Sequence, residues 1–314
     1  MTKVSIIILN WNGIKDTIPC LESLSNLNKK GFKLEIIIVD NGSTDNSVQK
    51  LNDYINRHSG AKQSEAIESI ELVQNSKNLG FAEGNNVGIN SALKNKADYV
   101  LLLNNDTEVD EQFIIEFLKA AEKNTDAAIF SPKIYFAKGY EFHKKRYKKS
   151  ELGKVIWYAG GKMDWNNVFG VNVGVDEVDK GQYDKEKEID FATGACMFIR
   201  AEALKRLGAF DKRYFTYFED AELSQRYLRS GYKILYVPRA ILWHKVAQSS
   251  SIGSNLNDYF ITRNRLLFGM KYAPLWTKQA LIRQNFGFLI SGRKIQKQGV
   301  KDYIFRDFGK GSWK

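Results

Sequence analysis

Two cysteines, four prolines and three histidines are all that 314 residues supply. Cys20 and Cys196 stand far apart and form no C-x-x-C pair. A disulfide framework and a cysteine-rich metal cluster are therefore both excluded, and the usage suits a reducing compartment. No uncharged apolar run reaches the roughly 18 residues that a membrane-spanning helix needs. After Met1, Thr2 and Lys3 the apolar stretch Val4 to Leu9 is too short for a secretory signal. The expectation is a cytoplasmic protein, or one held peripherally on the cytosolic face of a membrane without crossing it. What is present is ordinary for a soluble globular chain: 43% apolar and 26% charged residues, enough for a large core without a covalent or metal staple.

The net charge of +11 is unevenly placed. From Lys271 onward ten Lys and Arg face only Asp302 and Asp307, so +8 of the total sits in the last 44 residues. Large apolar residues interleave with these cations, among them Trp276, Phe286, Ile290, Ile304, Phe305 and Trp313. That mixture fits an amphipathic segment drawn to an anionic lipid surface, or a basic helix packed on the body with its charges in water. No zinc-finger or RNP-type motif accompanies the charge, so nucleic acid is not expected as a partner. A second basic run, Lys144 to Lys149, lies between Gly139 and Gly153 and reads as an exposed loop insertion.

Val4–Leu9 and Leu34–Val39 are continuous β-branched runs, the pattern of strands buried on both faces. Between them Ile18, Leu21, Leu24 and Leu27 form a helical stripe, and Val48, Leu51, Tyr54 and Ile55 form another after the capping pair Thr44-Asp45. A strand at Ile70–Val73, a helix including Val87–Leu93 and a strand at Tyr99–Leu103 follow. Strand and helix thus alternate four times in about 120 residues, which predicts a doubly wound, mostly parallel α/β sheet. A helix near Glu111–Ala121 and a strand near Ala127–Phe130 precede an irregular, Gly-rich stretch from 138 to 185. Further on, the pattern predicts a helix over Glu219–Arg229 and a strand over Lys233–Val237. The expected division is residues 1–250 as one α/β domain, its first 110 residues a nucleotide-type half and 111–250 an irregular half, and 251–314 as a helical basic tail.

Ligands of open α/β sheets bind beyond the carboxyl ends of the strands, and several ends here are polar. The first, Asn10-Trp11-Asn12-Gly13, lacks G-x-G-x-x-G, which argues against a dinucleotide oxidoreductase. The second ends at Asp40, whose carboxylate suits a nucleobase or ribose, or an Asx turn with Ser43. Gly80, Gly84 and Gly88, at four-residue spacing, allow either close approach to a phosphate or sugar, or close helix-to-sheet packing. Asn104-Asn105-Asp106 ends the fourth strand with a carboxylate among amides, a candidate ligand for a divalent metal, Mg²⁺ or Mn²⁺, that also holds a nucleotide diphosphate. Glu219 and Asp220 open a helix, but adjacent helical residues point about 100° apart and cannot share one proton, so one would be a base and the other structural. His244 is either structural or a further metal ligand.

Taken in order, these segments resemble the inverting glycosyltransferases of family 2, of GT-A fold, and most of all their rhamnosyltransferase-like branch. The resemblance covers about residues 3 to 265. VSIIILNWNG at 4–13 matches the first strand and loop of that family, VDNGSTD at 39–45 its nucleoside-binding turn, and Asn104-Asn105-Asp106 its D-x-D metal motif with Asn in the first position. TGACMFIR at 193–200 resembles the segment lining the sugar and acceptor pocket, and FDKRYFTYFEDAELSQR at 210–226 the stretch that supplies the base.

The resemblance implies Asp220 as catalytic base and Asp106 with His244 as metal ligands. It assigns Asn10, Asn12, Asp40, Asn41, Gly80, Asn85, Asn104, Asn105 and Arg263 to the nucleotide donor, and Thr193, Gly194, Ala195 and Glu219 to the acceptor or sugar pocket. The implied reaction moves rhamnose or a similar hexose from a dTDP- or UDP-linked sugar to a glycan or polyprenyl-linked acceptor in cell-surface polysaccharide assembly. One rival is a sugar-phosphate nucleotidyltransferase, which would need a Gly-rich basic loop after the first strand, where Asn10-Trp11-Asn12-Gly13 stands. The other is a non-catalytic saccharide- or nucleotide-binding module, which Asn104 in the first metal position would favour.

Overall fold

The computed structural model describes residues 1–60, 67–246 and 254–313. Twelve strands and nine helices are found among the described residues. The first half runs β1 (Thr2–Asn10), α1 (Ile14–Ser25), β2 (Phe32–Asp40), α2 (Ser47–Gly60), β3 (Ile67–Gln74), α3 (Gly80–Lys94), β4 (Tyr99–Asn104) and β5 (Thr107–Val109). It continues through α4 (Phe113–Lys123), β6 (Ala127–Phe136), β7 (Ile156–Tyr158), β8 (Gly161–Asp164), β9 (Phe169–Asn172), β10 (Lys187–Glu188) and β11 (Cys196–Arg200). Then come α5 (Ala201–Leu207), α6 (Glu219–Arg229), β12 (Lys233–His244), α7 (Asn255–Tyr272), α8 (Leu275–Ser291) and α9 (Lys294–Ile304).

The main sheet has the order β10-β12-β6-β11-β4-β1-β2-β3, with β5 and β7 on its margins. Strands β4, β1, β2 and β3 are parallel, and β11 enters antiparallel between β4 and β6. Ile6, Ile7 and Ile8 are all fully buried. Successive strand residues point to opposite faces, so both faces of the sheet are covered, which is why the strand is a continuous apolar run. Register aligns Asn10 with Asp40 and Leu9 with Asn104, bringing three polar strand ends to one edge where the strand order reverses between β1 and β4.

The three glycines of α3 resolve in favour of close packing. A Cβ on Gly84 would lie 2.7 Å from the Leu9 side chain, and one on Gly88 2.5 Å from that of Ile7. The helix therefore sits on the sheet more closely than any side chain would allow.

Strand β12 outruns its expected end at Val237. Pro238 has no N–H to give the ladder, and the register with β6 shifts between Val237 and Ile241 instead of stopping there. Pairing resumes to His244, which lies opposite Thr107 of β5 and Phe136 of β6. In the irregular stretch the buried Lys133 of β6 reaches Asp179 at 2.8 Å, an ion pair that ties the insertion to the sheet. The run Lys144–Arg146 forms a short exposed turn.

Helix α7 packs into the body, burying Tyr259, Phe260, Arg263, Asn264 and Phe268. Trp313 closes over it, 5.7 and 6.0 Å from the rings of Tyr259 and Phe260. Helix α8 is different: Trp276, Ile282, Phe286 and Ile290 stay 54–69% exposed, and Phe305 beyond α9 is 79% exposed.

Gly88→Ala is expected to destabilise the protein by about 1–3 kcal/mol through overpacking against Ile7. A urea midpoint unchanged from the wild type would refute the packing role.

Candidate active site

The polar edge is built on local hydrogen bonds that the strand ends impose. Asp40 is buried and accepts from Asn10 Nδ2 at 2.8 Å, from the Ser43 backbone N–H at 2.9 Å and from its hydroxyl at 2.6 Å. This is the Asx-turn arrangement, and it leaves the carboxylate one lone-pair direction. Asn12, at φ 51°, accepts the N–H of Thr44 at 2.8 Å and so joins the loop after β1 to the turn after β2.

Past β4, Asn105 donates to Thr17 at 2.8 Å, and a Cβ on Gly13 would lie 2.5 Å from the same amide. Asp106 and His244 meet beyond the sheet, Oδ1 3.0 Å from Nε2. Burial would raise the Asp106 carboxyl, but the neighbouring imidazole holds it below the ordinary value. Two buried atoms here lack a well-aligned hydrogen-bond partner, Asp106 Oδ1 and His244 Nδ1. Trp157 stacks edge-on against the imidazole at 4.8 Å.

A short bridge links this edge to the acidic pair. The Ala195 carbonyl accepts the N–H of Asn104 at 3.0 Å, and the adjacent Gly194 donates its N–H to Asp220 Oδ2 at 2.9 Å. Thr193, also buried, accepts the Ala195 N–H at 3.3 Å and shapes the turn.

The loop before Asp220 carries three non-glycine residues at positive φ, Phe215 (27°), Tyr217 (67°) and Phe218 (71°). Such positions cost on the order of 1–3 kcal/mol each and persist only where surroundings hold them. Here the Phe215 carbonyl accepts the N–H groups of Phe81 (2.6 Å) and Ala82 (3.2 Å) at the start of α3. Asn264 of α7 donates to the carbonyls of Thr216 (2.7 Å) and Tyr217 (2.9 Å). Gly80, at φ 83°, makes the first contact feasible, since a Cβ there would lie 2.5 Å from Phe215.

The sequence model of glycosyl transferase family 2 fits residues 5–208, and that of glycosyl transferase family group 2 fits residues 182–295. The chain belongs to glycosyl transferase family 2. Relatives of this family 2 glycosyltransferase include the N-acetylglucosaminyl-diphospho-decaprenol L-rhamnosyltransferase of Mycobacterium tuberculosis (strain CDC 1551 / Oshkosh), 25% identical over 69% of this chain and 68% of the relative. The low-salt glycan biosynthesis hexosyltransferase Agl10 of Haloferax volcanii is 25% identical over 84% and 74%. The solved structure of GalNAc-T7 with UDP, GalNAc and Mn²⁺ superposes with a TM-score of 0.62 at 17% identity, covering 98% of this chain and 58% of that one. The fold is thus GT-A, and the non-catalytic rival gives way to a glycosyltransferase.

Five of the residues assigned to the donor from sequence are engaged within the protein. Asn10 gives its amide to Asp40 and Ser43 and accepts from Thr17. Asn41 bonds Asn75, Asn78, Leu79 and Gly80, which clamps β2 to the start of α3. Buried Asn85 turns back to the Phe81 carbonyl, and Gly80 faces Phe215. Arg263 is fully buried, its guanidinium on the carbonyls of Arg213 and Gly309 and on Asn264, so it ties the tail to the body. In the four cases other than Gly80 a buried side chain satisfies backbone or turn groups that would otherwise be orphaned. Asp40, Asn12, Asn104, Asn105, Asp106, His244, Glu219, Asp220 and the 193–195 bridge remain gathered around the edge. Asn264 went unnoticed in the sequence because a lone Asn in a helix carries no local signal of a partner about 48 residues away.

Both acids of the pair are shifted up. Burial raises Asp220 despite the N–H groups of Gly194 and Ala221. Burial and then the Asp220 charge push Glu219 well above 4.5, and its Oε2 is buried without a partner. A raised carboxyl binds its proton more tightly folded than unfolded, so the stability it contributes is full below 4.5 and is lost as pH rises through the folded value. Wild type should therefore lose melting temperature relative to Glu219→Gln as pH is raised from about 4.5 toward neutral. Parallel melting curves across that range would contradict a protonated Glu219.

Proposed function

We propose that this glycosyltransferase moves a hexose, rhamnose first among them, from a dTDP- or UDP-linked donor to a polyprenyl-linked saccharide with inversion at the anomeric carbon. The observation that carries this is the Asp220 carboxylate, held by the Gly194 and Ala221 N–H groups across the bridge from the strand end bearing Asp106. A fixed carboxylate made more basic by burial suits a general base. Asp220 would take the proton of the acceptor hydroxyl as that oxygen attacks the anomeric carbon. The bond from that carbon to the diphosphate oxygen breaks in the same displacement, with no covalent enzyme intermediate. The mycobacterial relative acts on a sugar-diphospho-lipid by its name, which supports the acceptor class and the sugar.

Asp106 and His244 would hold Mg²⁺ or Mn²⁺. One carboxylate and one imidazole, with His244 Nδ1 buried and unpartnered, fit a divalent cation, Mn²⁺ better than Mg²⁺, that completes its shell with diphosphate and water. The cation would neutralise charge on the departing diphosphate. Asp40 and Asn12 would present the nucleoside turn, with Asn104 and Asn105 flanking the diphosphate. Thr193, Gly194, Ala195 and Glu219 would shape the sugar and acceptor side.

No helix among the described residues is long and apolar enough to cross a membrane. The exposed face of α8 and the end of α9, set among Lys and Arg, supports peripheral attachment to an anionic bilayer.

Asp220→Asn is expected to lower transfer by about 10²–10⁴ while nucleoside diphosphates with Mn²⁺ still raise its melting temperature as they do for wild type. An active Asn variant would rule out the base. The full chain should co-sediment with vesicles containing phosphatidylglycerol and be released by salt, and failure to bind at low salt would end the attachment reading.

A further inference from the structure

Beside the donor edge, and apart from Asp40, Asp106, Asp220 and His244, lies a cleft of about 920 Å³ that joins the two ends of the chain. One wall carries Trp11, 51% exposed, and Lys77 after β3. The other is made by Lys212 and by Arg306, Lys310 and Trp313 of the segment after α9. Lys77, Lys212, Arg306 and Lys310 are exposed and make no ion pair among the described residues. Arg213, by contrast, is neutralised by Asp211. Two acids, Glu83 and Asp307, stand against these four cations. The wall is thus net positive and lined by two indoles. Its floor includes Phe215, the residue that opens the strained loop leading to Asp220.

The segment itself is held in place and is not a loose end. Gly309 donates to the Arg213 carbonyl at 3.0 Å, the buried Arg263 donates to the Gly309 carbonyl at 2.7 Å, and Trp313 packs on Phe260, which stacks with Phe215 at 5.1 Å. Immediately before it in the chain, Ile304 and Phe305 are 55% and 79% exposed. From Ile304 to Arg306 the surface therefore passes from bare apolar side chains to an unpaired cation, and across the cleft it reaches Phe215 and the loop to Asp220. A ligand matching that sequence of surfaces has an apolar chain, a polyanionic head and a sugar beyond it.

We propose that this cleft binds the diphosphate of the acceptor, an isoprenoid-type lipid diphosphate carrying the sugar to be extended. Multiple point cations suit the phosphates, and the indole faces suit the first apolar units or the sugar ring. The assignment deepens the proposed transfer reaction and rests on it for the acceptor's identity, although the binding chemistry stands by itself. The same diphosphate chemistry belongs to the donor nucleotide, whose turn the cleft adjoins through Asn78 and Leu79. The experiment must therefore separate the two sources.

Titration calorimetry on the full chain with farnesyl diphosphate, and separately with dTDP and UDP in the presence of Mn²⁺, makes that separation. The variant Lys212→Glu/Lys310→Glu alters only exposed side chains, and an unchanged melting temperature would verify its fold. Farnesyl diphosphate is expected to bind wild type and to lose about tenfold or more in affinity in the variant, with nucleoside diphosphate affinity changed less than about threefold. Absence of farnesyl diphosphate binding, or an equal or greater loss for the nucleoside diphosphates, would overturn the proposal. A chain that binds nucleoside diphosphates but not farnesyl diphosphate would leave glycosyl transfer standing without this cleft. One that binds farnesyl diphosphate but no nucleoside diphosphate would leave the cleft standing and undo the transfer reaction.

Discussion

The arrangement turns on one carbonyl. Phe215 O accepts two N–H groups from the first turn of α3, and this contact joins the nucleotide-type half of the sheet to the loop that carries the acidic pair. Because Phe215, Tyr217 and Phe218 occupy left-handed backbone positions, the loop would relax without restraint, and the restraint comes from three directions. Helix α3 holds it from the donor side, Asn264 from the interior, and Gly194 pins the Asp220 carboxylate itself. The position of the Asp220 carboxylate is thus set by backbone N–H groups of α3 and Gly194 and by the side-chain amide of Asn264.

The polar residues of the site divide by what burial demands of them. Asn10, Asn41 and Arg263 are enclosed, and their donors go to turn and backbone acceptors that would otherwise be orphaned. Glu219 Oε2 and His244 Nδ1 instead are buried without partners. Leaving polar groups unsatisfied costs stability, and burial is not compensated at these positions. The tail follows a similar division: Arg263, Trp313 and Gly309 secure it to the body, while α8 and the residues around Phe305 keep an apolar, cation-rimmed face in the open.

The alternation of β-branched runs with helical stripes disclosed the parallel half, because strands buried on both faces and helices buried on one leave periodic marks in the residue order. The strand ends Asn10, Asp40 and Asn104–Asp106 were legible for the same reason, as were the helix opened by Glu219 and Asp220 and the basic, aromatic-rich tail. Local pattern also left choices open. Gly80, Gly84 and Gly88 were compatible with a ligand or a packing role, and only the distances to Leu9, Ile7 and Phe215 decided for packing. Strand β12 seemed to end before Pro238, yet neighbours β6 and β5 offered pairing beyond the bulge and carried it to His244.

The amino-acid order by itself determined which elements form, which strand ends are polar and that one region is acidic and another basic, since these depend on near neighbours in the chain. Only the tertiary structure decided which polar residues are spent on hydrogen bonds that hold the scaffold and which are not. A side chain such as Arg263 or Asn41 has the same donors in either role. What distinguishes the two is whether folding brings carbonyls from distant segments into hydrogen-bond range, and that depends on packing across many residues of separation.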